Sequence, residues 1–247
     1  MRKELLVLAK SFKQGGFCVA GLEVSRNQQG QRVLQSNWIR PVLSSPAQCK
    51  SAALPLGSCE NFRVFDTVSF EMQGYQPSAG QQENWQWAGT PTINAGIECP
   101  PHLLHELAAN SGLIWFDSTT TCDNQVSGFY ADHTGRQDSV MLIQPQNLIF
   151  CLEVKNNNDK LKRCITAEFT HLGYRFGGIS VTDPWVHRIF SSQFPQQVGY
   201  KVRAPLALGD QCWLTLSLTL PFGSKGLRYL LVAAVIDHTL TFNRRYS

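Results

Sequence analysis

The second half of the chain alternates. Leu214, Leu216, Leu218 and Leu220 take every other position, with threonine or serine between them. A period of two marks a strand buried on one face. Residues 230–236 are apolar without a break, which fits a central strand. Further strand candidates are residues 148–154, 163–170, 174–181 and 200–204. Helical signal is sparse. The clearest helix is residues 100–110, with two prolines at its start, Leu103, Leu104 and Leu107 on one side, and Asn110-Ser111-Gly112 as its stop. A shorter helical piece starts at Asp183-Pro184-Trp185 and ends near Phe190. Many short strands, at most one helix per half and Gly/Pro-rich joints favour a mainly β chain of two small barrels. We expect the division near Pro145, giving units 1–145 and 146–247. The helix 100–110 and a polar excursion at 117–138 fall in the first unit.

The first half carries a hairpin. Residues 17–24 come in and residues 32–40 go out, around the polar tip 25–31 with its Asn and Gly. On the outgoing strand Trp38 and Arg40 share one face and Ile39 takes the other. An exposed Trp beside an Arg is a stacking platform with a charge next to it; a core Trp covered by an Arg stem is the alternative. Residues 5–9 read as a short buried strand, residues 43–59 as a loop, residues 62–72 as a strand and residues 81–87 as a short polar-aromatic one.

Charge is sparse, at 16% of residues, and unevenly placed. Residues 1–63 hold nine Lys/Arg against three Asp/Glu, residues 64–145 one against nine, and residues 146–247 twelve against six. Basic surfaces attract phosphate backbones, and an acidic middle does not. No apolar run approaches the roughly 20 residues of a membrane helix, and the apolar run 5–9 is short for a secretory signal. We expect a cytoplasmic protein. Its eight cysteines include no C-x-x-C pair, so reduced and mostly buried thiols are expected.

Several stretches, taken in order, resemble the bacterial dual OB-containing domain (DuOB) family. They are Cys18-Val19-Ala20-Gly21, Trp38-Ile39-Arg40-Pro41-Val42, the strand at Asp66, Gln82-Glu83-Asn84-Trp85, Tyr174-Arg175-Phe176 with Thr182-Asp183-Pro184, Ser217-Leu218, and residues 231–236. The resemblance covers nearly the whole chain. It implies two tandem OB-like barrels and nucleic-acid-associated components, often linked with bacterial defence or mobile elements. A long tip at 25–35 and the excursion at 117–138 stand out as places where function is elaborated.

OB barrels hold single strands with stacked aromatics and cationic rims. The candidate nucleic-acid contacts are Tyr200, Lys201 and Arg203, then Arg175, Arg188, Lys160, Lys162 and Arg163, and in the first half Trp38 and Arg40. Lys201 and Arg203 share a strand face. Tyr174 and Phe176 also share one, and a core position suits them best. Gln82-Glu83-Asn84-Trp85 offers amides to a base edge, but tying strand ends together is the preferred reading. No cofactor or metal is expected. Cys99, His102 and His105, with Cys122 or His133, lack the paired spacing of a zinc site. The expected function is a non-enzymatic single-stranded or guide-type DNA/RNA-binding subunit of a bacterial assembly. A protein–protein adaptor using the barrels as docking modules is one alternative. A magnesium nuclease around Asp138, Glu153 and Lys155 is another.

Overall fold

The computed structural model describes residues 1–13, 16–43, 54–55, 59, 61–77, 80–112, 125–126, 138–157, 160–204, 211–220 and 228–237. The first sheet is built from β1 (Arg2–Lys13), β2 (Gly16–Arg26), β3 (Arg32–Val42), β4 (Leu54–Pro55), β5 (Thr67–Tyr75) and β6 (Asn84–Asn94). Helix α1 (Pro101–Ala109) follows. The second sheet holds β8 (Val140–Ile143), β9 (Gln146–Asn157), β10 (Lys160–His171), β11 (Tyr174–Val181), β12 (Lys201–Ala204), β13 (Cys212–Leu218) and β14 (Arg228–Asp237). A two-residue β7 (Gln125–Val126) pairs with β14, and α2 (Pro184–Ile189) follows β11.

The hairpin of β2 and β3 closes tightly. The Asn27 side chain accepts from the backbone N–H of Gln29 (3.0 Å) and of Gln31 (2.9 Å), and Gly30 takes a positive φ of 77°. Strand pairing runs on to Arg26 opposite Arg32, so the tip is residues 27–31 and not the longer stretch the sequence suggests. Around the first barrel the strands run β1-β2-β3-β6-β5 and back to β1, with β3 and β6 parallel and the other neighbours antiparallel. This is the closed Greek-key order of an OB barrel. Strand β6 extends through Asn94, well past the short strand expected at 81–87.

The second barrel repeats the order with a break. β9-β10-β11-β14-β13 follow one another, again with a parallel pair, β11 and β14. The place of β1 is shared by two pieces. β8 pairs with β13 and β9 pairs with β10. Gln144 and Pro145 lie between them, and a proline has no N–H for a ladder. Residues 140–143, assigned to the first unit on sequence, therefore join the second sheet. β12 adds itself to the outer edge of β9. Helix α2 plugs this barrel with Val186, next to Phe190. Its cap is Asp183, which accepts from Trp185 N (2.7 Å) and from Val235 N of β14 (2.8 Å).

Strand β1 explains how the barrels meet. Leu5 and Val7 point into the first core, with Phe17, Val19, Ile39 and Phe70. Leu6 and Leu8 point the other way, into a cluster with Leu22, Val24, Leu142, Trp213, Ala234 and Ile236. Both faces of the strand are thus covered, which is why residues 5–9 are apolar without alternation. Leu6 and Leu8 are fully buried, and each such side chain contributes about 1.5–3 kcal/mol. Leu104 and Ala108 of α1 join the same cluster. Residues 117–124 and 127–137 of the expected excursion lie outside the described residues, as does most of the loop expected at 43–59.

Candidate functional site

The outer face of β1, β2 and β3 is where the first barrel presents Leu22, Val24, Leu34 and Trp38. The second barrel covers it. Thr215 Oγ1 donates to Leu8 O at 2.6 Å, and Phe12 N donates to Thr182 O at 2.8 Å. At the centre sits a polar knot. Glu83 has a fully buried side chain, 3.1 Å from Arg40 Nη2. It also accepts from Ser139 N (3.1 Å) and Ser139 Oγ (2.5 Å). Arg40 donates onward to Ser217 Oγ at 3.2 Å, and Gln81 Nε2 to Leu218 O at 3.2 Å.

This corrects two expectations. Arg40 does share a face with Trp38, but it is 5% exposed and its charge is held by Glu83, so it offers nothing to a ligand. Trp38 is half-buried against the inter-barrel cluster. Glu83 ties strands together as preferred, but the tie reaches across the two barrels. Asn84, donating to Gln81 Oε1 at 3.1 Å, and Gln82, accepting from Tyr75 Oη at 3.2 Å, act locally.

The same face of the second barrel is open. Phe150, Leu152 and Val154 of β9 point inward, so Cys151, Glu153 and Lys155 point outward. Lys201 and Arg203 of β12 pair in register with Glu153 and Cys151. On the other side Lys162 of β10 lies opposite Lys155. Glu168 follows on β10, and Arg175 pairs with Thr170 from β11. Five cations and two carboxylates therefore share one sheet face. Glu153 lies 3.4 Å from Lys155 and 3.9 Å from Lys201. Glu168 lies 2.5 Å from Arg203 and 3.5 Å from Arg175. Lys162 forms no ion pair among the described residues. Like charges opposite each other on a sheet repel; Glu153 offsets Lys155, while Lys162 faces Lys155 without a carboxylate of its own among the described residues.

Two exposed tyrosines lie at strand ends, each next in sequence to a cation of this face and on the opposite side of its strand by alternation. Tyr200, just ahead of β12, is 59% exposed, and Tyr174 at the start of β11 is 49% exposed. A core position is expected for both Tyr174 and Phe176; Phe176 is buried and stacks on Phe169 at 5.3 Å, whereas Tyr174 is not buried. The core simply ends between them. Lys160 is exposed at the β9–β10 tip, and Arg188 is exposed on α2. Arg163 points the other way, its guanidinium 5.3 Å from the Phe194 ring at the barrel end.

The other sequence candidates scatter. Asp138 precedes β8 beside Ser139, while Glu153 and Lys155 are bound to each other on the open face. Cys99 is buried and His105 packs edge-on against Trp213 at 5.1 Å. Among the described residues no three His, Cys, Asp or Glu gather as a metal site. Cys122 and His133 lie outside them. Burial pushes the Cys59 and Cys212 thiols up to about 12. Cys151 is also raised, by burial first and then by the Glu168 charge. No helix among the described residues is long and apolar enough to cross a membrane.

Basic residues of the first barrel behave differently. Arg2, Lys3, Arg26 and Arg32 line a groove of about 660 Å³ with Glu4 and Glu23. There Lys3 pairs with Glu23 at 2.5 Å and Arg32 with Glu4 at 2.8 Å.

A family model, the dual OB-containing domain, matches residues 3–235. The chain belongs to that family. A DuOB chain of this kind carries two OB-like units, in line with the closed barrel and the second sheet described above. No curated protein matches it. Among solved structures, one titled as a murine DNA binding protein bound with double-stranded DNA aligns over 96% of this chain and 99% of that one, at 7% identity and a TM-score of 0.25. A likeness at that level carries no argument.

Proposed function

We propose that this protein is a non-catalytic binding module that holds single-stranded nucleic acid on the open face of β12, β9, β10 and β11. The observation that carries the reading is the row of five cations over two carboxylates on that face. In an OB barrel this is the region that receives oligonucleotides. Cations supply the salt-dependent, sequence-independent part of such binding. Exposed Tyr174 and Tyr200, at strand ends next to Arg175 and Lys201, supply rings for bases that reach the edge of that face. The contacts are Lys155, Lys162, Arg175, Lys201 and Arg203, with Lys160 and Arg188 at the periphery. The family resemblance supports a further step, that the module serves inside a larger bacterial assembly of the defence or mobile-element kind.

A gel shift with single-stranded oligonucleotides over a salt series tests the reading. Four or five phosphate contacts to a single strand give a log K against log salt slope of about −3. Lack of binding at low salt overturns it. Purification of the native complex tests the assembly step: a protein partner without nucleic acid, judged by absorbance ratio, favours the adaptor alternative.

A further inference from the structure

A second feature adjoins the cationic face and has a different chemistry. Between α1 and the β10–β11 turn lies a cavity of about 340 Å³. Its walls include Ala108 and Ala109 of α1 and Leu172 and Gly173 of the turn. Its polar lining is His105, His171, Gln144 and Gln146. Among the described residues no Asp, Glu, Lys or Arg lines it, in contrast to the first-barrel groove, which is lined by six charged residues.

The hydrogen bonds fix which ring nitrogens remain as acceptors. His171 is 7% exposed, and its Nε2 donates to Gly112 O at 3.1 Å, so its Nδ1 is the acceptor of the neutral ring. His105 Nδ1 meets Gln144 Oε1 at 3.1 Å, which leaves Nε2 as the acceptor of that ring. The amides of Gln144 and Gln146 add donors and acceptors. Imidazole and amide groups between small apolar walls, with no lysine or arginine among the described lining residues, suit a flat polar ring better than a phosphate.

The register ties this cavity to the face above it. Gln146 pairs with Thr170, and Thr170 pairs with Arg175. A strand whose phosphates follow the cations down to Arg175 therefore arrives at the cavity mouth, beside the exposed Leu172 and Tyr174.

We propose that this cavity takes one unpaired base of the bound strand. The inference rests on the proposed single-strand reading and adds to it a fixed register, with one base held apart from the others. The test uses the full chain and an oligothymidylate of about 8 nucleotides, within the site size of one OB barrel. One abasic nucleotide is moved along it. The expected result is a loss of about tenfold at one position, the scale of one well-held base, with little loss elsewhere. Ala109→Leu narrows the cavity from an exposed helix position; it should lower the affinity for the intact oligonucleotide about tenfold and abolish the position dependence. Uniform losses along the scan overturn the inference, and the scan alone suffices should Ala109→Leu fail to fold. If the scan is uniform while Lys162→Glu still weakens binding, the cavity is wrong and the cationic face stands. Absence of any binding overturns both.

Discussion

The two barrels share a strand order and differ in what their equivalent faces meet. On β1, β2 and β3 the outer face carries Leu6, Leu8, Leu22, Val24 and Trp38, and it is covered by the second barrel. On β9, β10 and β11 the outer face carries Glu153, Lys155, Lys162, Glu168 and Arg175, and solvent reaches it. The same architecture is a docking surface in one copy and a charged surface in the other. Closure differs as well. β1 is continuous and pairs with both β2 and β5. Its counterpart is split at Pro145, and β12 occupies the edge of β9. That added strand brings Lys201 and Arg203 to the open face. Duplication of a fold therefore does not duplicate a site; side chains on one face decide.

The largest expected effect separates the two ways the barrels close. A Cβ on Gly21 would sit 2.1 Å from Leu6 O, at the bulge between β1 and β2. Gly21→Ala is expected to prevent folding, read as loss of a cooperative urea transition. Gly178 in β11 has nothing within 4 Å of its Cβ position and only a positive φ of 67°. Gly178→Ala is expected to cost about 1 kcal/mol for that backbone strain. Equal effects would remove the distinction.

Next is the knot between the barrels. Glu83→Ala leaves Arg40 buried without its partner, and such a break costs about 3–5 kcal/mol. Urea unfolding should show the loss, and both barrels should lose stability together because Ser139 and Ser217 belong to the second. A loss below about 1 kcal/mol would mean that the pair is not buried as described.

Smaller effects concern the open face alone. Lys201→Glu with Arg203→Glu should lower oligonucleotide affinity by about tenfold or more at low salt and flatten the salt slope by about 1 to 2. Stability should change little, since surface pairs such as Arg203–Glu168 contribute about 0–1 kcal/mol. The smallest and sharpest case is Lys162→Glu. It turns the Lys155/Lys162 repulsion into attraction, which stabilises a sheet by about 0.2–1 kcal/mol. Affinity should fall while stability holds or rises. A variant that loses both would mean that Lys162 supports the fold and not a ligand.

Much of the fold is legible in local pattern. Alternation at residues 214–218, the turn residues at 27–31, the prolines before α1 and the Asp183 cap all sit where local rules place them. So does the shared face of Lys201 and Arg203, because the side-chain period of a strand is two. What covers a face is not local. Trp38 and Arg40 lie on one side as expected, but the residues that bury them come from β8, β13, β14 and the residues just before β6 and β8, and Ser139 binds Glu83 across 56 positions. Pro145 punctuates the chain without dividing it, because a proline breaks a strand as readily as it ends a unit. The cavity at His105 and His171 was missed for the same reason. Its residues come from α1, the β8–β9 joint and the β10–β11 turn, and no spacing in the chain announces their meeting.

The contrast between the barrels is tested most directly by photo-crosslinking. A thiothymidine-bearing single strand is bound to the full chain, irradiated, and the modified peptides are mapped by mass spectrometry. Adducts should fall on β9 to β12 and on Tyr174 and Tyr200, with none on β1 to β6. Adducts concentrated on the first barrel, for example around Arg2, Arg26 and Arg32, would contradict the account.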